Sequence, residues 1–505
     1  MAKESSFVKV EQSLRAQSIV MTMARVLRTI LTIGIPVVLV RVLDQETFGA
    51  YKQIGLLATS ALVVLNLGLP PSLYYFVPRL PERSQTFIVQ TAIVFSVISV
   101  VAGLALALAD TVLAQAFGPQ VAQYSVWLGI MVALSITALL DVVMVVDKRV
   151  RLAAMVSALL DATHGLSLIA TALITRDLHW ILAVASLSLA LRVVVLVIYI
   201  RWRGRVTPTV AAPSALSEQF RYALPYYGAA LIALGCEQFH AFYVAAKYDA
   251  AQFALYAVGT LQVPMINHLM HSIGETIVLD GSKNYAAGNL QEMRRVWRRA
   301  TYVLALVLMP LFFVLEVFAR DVIEVFFGVA YSASTDVFRV FLITLPLSIL
   351  LGSTLLRATG DLKQMILANA ISLLVTAGAL VLLVDWLGII AAAWSVVLGN
   401  AALTAIVTGR ILKRLQVSIG EYLEWRNMFF VMLVAIGCAF MGYYATSFMP
   451  QWMRVFVGPG VSGILFLAAI WLLRLVPESE RKTAIHIWSK AKGYLANRRR
   501  ASQAR

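Results

Sequence analysis

About fourteen apolar stretches run almost back to back from Ser18 to Leu475. Each is near the ~20 residues that cross a bilayer as a helix. Only short polar turns separate them, so no soluble domain of any size fits between. A backbone inside lipid must satisfy its own N–H and C=O groups, which leaves helices or a closed barrel. Long Ala/Leu/Val/Ile runs without dyad alternation select helices. The expectation is an all-α polytopic membrane protein. Its spans are placed at 18–41, 48–77, 86–109, 121–146, 150–174, 179–200, 220–246, 252–280, 299–319, 333–356, 362–384, 388–412, 428–448 and 453–475.

Charge gives the orientation. Sorting Lys and Arg by alternate loops puts 32 on the side of the two tails and 7 on the other. The seven are Arg41, Lys52, Arg176, Lys247, Arg320, Arg339 and Arg454. The positive-inside rule then places both termini in the cytoplasm, across a bacterial inner membrane. The net charge of +16 lies mostly in those loops and in the tail, including Arg498, Arg499 and Arg500. Anionic lipid headgroups, not nucleic acid, are the expected partners. The polar start, MAKESSFVKVEQSLRAQ, lacks the pattern of a cleaved signal peptide. Cys236 and Cys438 sit in apolar spans without a disulfide or metal spacing, so no metal and no cofactor is expected.

The chain repeats itself. Asp44, Phe48, Tyr51 and Leu56 recur as Asp249, Phe253, Tyr256 and Leu261, and Phe117-Gly118 recurs as Phe327-Gly328. Six spans separate the copies, so both have the same orientation. That is a parallel repeat about an axis along the membrane normal. The expected organisation is a cytoplasmic N-tail (1–17), a six-helix bundle (18–200) and a linker with Pro208 and Pro213 (201–219). A second six-helix bundle (220–412), two additional transmembrane helices (413–475) and a basic cytoplasmic tail (476–505) follow.

One segment carries a family pattern. An apolar first helix leads to an L-x-x-x-x-F-G-x-Y turn (Leu43, Phe48, Gly49, Tyr51), then to a second helix ending in N-x-G-L (Asn66, Gly68, Leu69). Thr22–Pro78 thereby resembles the opening of polysaccharide flippases, the O-antigen type, in the multidrug/oligosaccharidyl-lipid/polysaccharide (MATE-like) exporter superfamily. The resemblance implies movement of undecaprenyl-pyrophosphate-linked oligosaccharides between leaflets, for O-antigen or exopolysaccharide biosynthesis. It also implies alternating access, with a polysaccharide polymerase and export machinery as possible neighbours. Lipid II flippases resemble the same segment, with arginines in the first helix and a basic residue early in the second. Arg25 and Lys52 match those places, and Arg28 matches less closely.

Ionisable groups at membrane depth are costly and face a cavity or a partner by default. Arg25 and Arg28 share a face of span 1, and Arg28 lies roughly 14 Å along it at 1.5 Å per residue. They either snorkel to headgroups or line a cationic cavity for a pyrophosphate, whose oxygens match the guanidinium fork. Arg357 either snorkels or lines the inward mouth. In span 8, His268, His271 and Glu275 share a face, with Asn267 beside them and Pro264 expected to kink the helix. This stripe suits a sugar-lined cavity better than a metal. Glu237 with His240 and Asp161 with His164 are i,i+3 pairs. Each is either a local structural pair or a protonatable switch coupling transport to H+ or Na+.

No G-x-x-x-x-G-K-[ST] loop is present, so the chain is not an ATPase on its own. No long outward loop carries carboxylate pairs or a Ser/His/Asp set, so it is not expected to be an enzyme. Two readings remain: a lipid-linked oligosaccharide flippase with a cationic cavity, or a drug/cation antiporter with an acidic one. The arginines of span 1 favour the first. Glycan identity is not legible, because fold does not dictate substrate.

Overall fold

The computed structural model describes residues 30–203, 213–261, 264–477 and 481. These form helices joined by short turns, with no strand among the described residues. Eleven helices are long and apolar enough to cross a membrane, or twelve when the bent pair Ser334–Ser348 and Gly352–Ala358 is one span. Ile30–Val42 is the described part of span 1. Ala250–Gly259 and Pro264–Ala286 lie where span 8 is expected. The all-α membrane fold read from the apolar runs is the fold observed.

Local chemistry interrupts several spans expected to be continuous. Span 2 is two helices, Gln45–Leu65 and Leu69–Arg79. Between them Leu67 (φ 49°) and Gly68 (φ 71°) turn left-handed, and the Asn66 side chain accepts from the Gly68 N–H at 2.7 Å. Pro70 then sits in the first turn of the second helix, where a missing N–H costs nothing. Pro264 likewise opens Pro264–Ala286 and does not kink it, for the same reason.

The recurring residues share their local geometry. Asp44 (φ −69°, ψ 166°) caps Gln45–Leu65 by accepting from the Thr47 N–H. Asp249 (φ −68°, ψ 169°) caps Ala250–Gly259 by accepting from the Gln252 N–H. A carboxylate at a helix N-cap satisfies an otherwise orphaned donor. Gly118 and Gly328 both take positive φ, 87° and 90°, with ψ 161°. The ends of spans 6 and 12 match as well. Arg203 bonds Asp147 at 2.8 Å, while Arg414 pairs with Asp361.

The halves are joined at one end. Opposite the end that carries most of the Lys and Arg, one apolar core takes Leu39, Phe48 and Ile54 from the first half with Val258, Ile323 and Phe338 from the second. The Arg41 guanidinium donates to the Val325 carbonyl at 2.5 Å, and the Gln45 amide donates to Ala330 at 2.6 Å. Gly49 lies so close to the Ala250 carbonyl that a Cβ would overlap it. At the basic end the cores are separate: one holds Phe76, Phe87 and Val143, the other Trp297, Leu355 and Ile411.

Two features modify that division. Span 7 begins at Pro213, and its first turns pack on the first half. There the fully buried Gln219 donates to Ser72 (2.7 Å) and Thr91 (2.8 Å) and accepts from Gln90 (2.7 Å). Spans 13 and 14, Trp425–Ala445 and Gln451–Leu472, pack on each other and on span 9, Leu290–Val317. Arg454 of span 14 grips Asp321 through two hydrogen bonds, at 2.8 and 2.5 Å. Such bidentate, charge-assisted pairs are the strong ones.

Candidate functional site: a polar cavity in the second half

A cavity of about 710 Å³ lies among spans 7, 8, 10, 11 and 12. That is the size of a small-molecule pocket, which commonly runs ~300–1,000 Å³. Its polar wall includes Glu237 of span 7, Ser348 and Thr354 of span 10, Asn369 of span 11, and Asn400 and Thr404 of span 12. Glu237 is exposed within it and is the one charged side chain lining it among the described residues. Amides, hydroxyls and a carboxylate at this depth are expensive unless something polar meets them.

Span 10 forms the wall by breaking. Ser334–Ser348 and Gly352–Ala358 meet at 40°, with Pro346 just before the break and Leu351 left-handed at φ 52°. Pro346 cannot donate to the helix, and the left-handed turn at Leu351 redirects it. The freed Leu350 carbonyl is recovered by the indole N–H of buried Trp297, at 2.8 Å. Span 4 has no such bend: Ser125–Val146 is one span that tightens to a 3-10 stretch over Leu134–Ala138, 210 residues before Thr344–Ser348. An interrupted helix at membrane depth points to a binding region.

A family model described as polysaccharide biosynthesis protein matches residues 38–336. The chain belongs to that family. No curated protein matches the chain by sequence. Among solved structures, lipid II flippase MurJ in an inward closed conformation aligns at TM-score 0.71 and 11% identity, covering 90% of this chain and 99% of its own. An inward-facing multidrug resistance MATE family transporter of the MOP superfamily aligns at TM-score 0.59 and 14% identity, over 77% and 94%. A MOP superfamily transporter from Pyrococcus furiosus aligns at TM-score 0.53 and 14% identity, over 79% and 94%. At these identities the likeness is one of fold.

The expected site residues fall in different places. Arg25 and Arg28 lie outside the described residues. Asn267, His268 and His271 lie in the helix Pro264–Ala286, with side chains outside what the structure describes. Glu275 is exposed on the same helix. Arg357 is exposed and approaches that helix, its Nη2 3.9 Å from where a Cβ on Gly274 would stand. Lys52 is half-buried near the start of span 2 and makes no ion pair among the described residues.

The i,i+3 pairs have partners on other spans as well. Asp161 forms an ion pair across to Arg192 of span 6. His164 is half-buried one turn away. His240 is buried, and its Nδ1 is hydrogen-bonded with the Tyr256 hydroxyl of the next helix at 2.6 Å. Arg192 was visible as a cation deep in an apolar run. Asn400 and Thr404 were visible as an i,i+4 polar pair on one face of span 12.

Proposed function

We propose that this protein moves undecaprenyl-pyrophosphate-linked oligosaccharide units from the inner to the outer leaflet of the bacterial cytoplasmic membrane. The observation that carries the reading is the polar cavity at bilayer depth walled by a broken span 10. Polar residues ordered inside lipid serve a polar cargo. Membership of the polysaccharide biosynthesis family supports a glycan as that cargo.

In this reading the basic end is cytoplasmic and the joined end is outward, so the halves are closed outside. Arg25, Arg28, Lys52 and Arg357 meet the pyrophosphate, and the span 8 stripe with the cavity meets sugars. Transport proceeds by the two bundles rocking, with the outward seam opening as the basic end closes. Glu237 is the first choice for the coupling H+ or Na+, because it faces the cavity without a cation beside it among the described residues. Asp161, held by Arg192, comes second. Glu237→Gln should remove any pH or sodium dependence of transport. Arg28→Ala should sharply reduce translocation at normal expression, with Arg28→Lys restoring part of it.

The same Glu237 favours the rival reading, a drug/cation antiporter of this fold, since an acidic pocket attracts cations. Deletion followed by lipid extraction separates the two. Loss of a flippase accumulates undecaprenyl-linked glycan in the cytoplasmic leaflet. A deletion strain with normal glycolipid and altered drug or ion tolerance rejects the flippase.

A further inference from the structure

A column of aromatic rings stands at the basic end, between span 2 and span 7. The Arg79 guanidinium lies over the Tyr75 ring at 3.9 Å. Tyr75 stacks on Tyr222 with centroids 4.2 Å apart and planes at 25°. Tyr222 then meets Tyr226 at 5.5 Å and 34°. Phe76 braces the column edge-on, 5.1 Å from Tyr75 and 5.4 Å from Tyr222. The last ring is open: Tyr226 is 57% exposed. One end is therefore capped by a cation and the other ends on a bare aromatic face.

The column is rigid. Tyr75 belongs to Leu69–Arg79 and Tyr222 to span 7, and buried Gln219, one turn before Tyr222, locks these two elements together. Its rings are therefore pre-set, and little conformational freedom is lost when a ligand covers them.

The open ring also starts a continuous face of span 7. Tyr226, Ala230, Ala233 and Glu237 follow at i, i+4, i+7 and i+11, which returns to one side of a helix within about 40°. Tyr226, Ala230 and Glu237 are exposed, while Ala233 and Glu237 line the cavity. The bare ring thus lies about 16 Å along the helix from Glu237, on the side that opens into the cavity.

We infer that Tyr226, held by the Arg79–Tyr75–Tyr222 column, is a docking platform for a pyranose ring of the glycan before it enters the cavity. This rests on the flippase reading. A sugar presents one face of C–H bonds whose positive edge suits the negative face of an aromatic ring. Hydroxyls around the sugar's rim stay in water or reach the tyrosine oxygens. A tyrosine with an apolar body and a polar tip suits such a ligand. Small residues at 230 and 233 leave the face beyond the platform unobstructed.

The test uses the full chain in nanodiscs and native mass-spectrometry titration. The probes are undecaprenyl pyrophosphate alone and the same lipid bearing one hexose or one N-acetylhexosamine. The wild type should bind at least one sugar-bearing lipid more tightly than the sugar-free lipid. Tyr226→Ala should weaken that binding by roughly 3- to 10-fold, the factor one aromatic contact carries, and leave the sugar-free lipid unchanged. Tyr226→Trp should restore it. Equal weakening of both lipids overturns the proposal and assigns the ring to the isoprenoid chain. No change with either lipid, or no preference for sugar in the wild type, overturns it and leaves the tyrosines as interfacial anchors. Failure of the flippase reading shows separately, as a deletion strain without accumulated glycolipid.

Discussion

Buried Gln219 shows what one side chain does here. Its amide serves Ser72, Thr91 and Gln90, so three polar groups of the first half depend on a residue that starts span 7. Removing a partner from a buried donor or acceptor costs about 1–3 kcal/mol for each group left unsatisfied. Gln219→Leu should therefore lower the thermal unfolding midpoint of the purified protein, read by tryptophan fluorescence. Gln219→Glu should also fall, since a carboxylate cannot donate to Ser72 and Thr91. An unchanged midpoint in both would mean that water replaces the amide. Nothing in the sequence distinguished Gln219 from the rest of the polar linker, because its partners are distant in the chain. Arg192 was missed for a different reason: counting loop charges skips a cation inside a span, and its partner Asp161 lies on another span.

Among the elements, the broken spans are where sequence and structure part. Apolar length located nearly every crossing, because the requirement for internally satisfied backbone is strict in lipid. It said little of the breaks, since the residues at the break of span 10, Ile349, Leu350 and Leu351, are as apolar as any span. Pro346 and the Asn66-Leu67-Gly68 turn were the available signals. Breaks depend on tertiary rescue of the freed groups, and that rescue comes from far away in the chain. Trp297, in span 9, is the clearest case. Trp297→Phe keeps most of the buried ring and deletes the indole donor, leaving the Leu350 carbonyl unpaired. The expected result is a loss of about 1–3 kcal/mol. Hydrogen exchange should rise at residues 344–358 before it rises in spans 11 and 12. A uniform rise across the second half would show that the indole acts through general packing rather than through the break.

At the scale of the whole molecule, the two halves meet where Gly49 faces the Ala250 carbonyl. A side chain there forces the backbones apart. Gly49→Val should reduce the population closed at that end. Spin labels on the loops near 46 and 332 should report a longer, broader distance by electron–electron double resonance. An unaltered distance distribution would show that the seam absorbs the added atoms elsewhere. The recurring residues read from the sequence share caps and turns here, Asp44 with Asp249 and Gly118 with Gly328. The basic-end ties, Asp147 with Arg203 and Asp361 with Arg414, were not legible, because each pair spans more than fifty residues. These ties stiffen the far end of each half internally. As it stands the body is pinned at one end and split at the other, like a pair of tongs closed at the Gly49 seam. A span of 26 residues is about 39 Å long, so while that seam holds a turn of roughly 15° about it sweeps the free tips by about 10 Å. The outward side opens only when the seam lets go, and a single methyl group placed there weighs more than several placed at the tips.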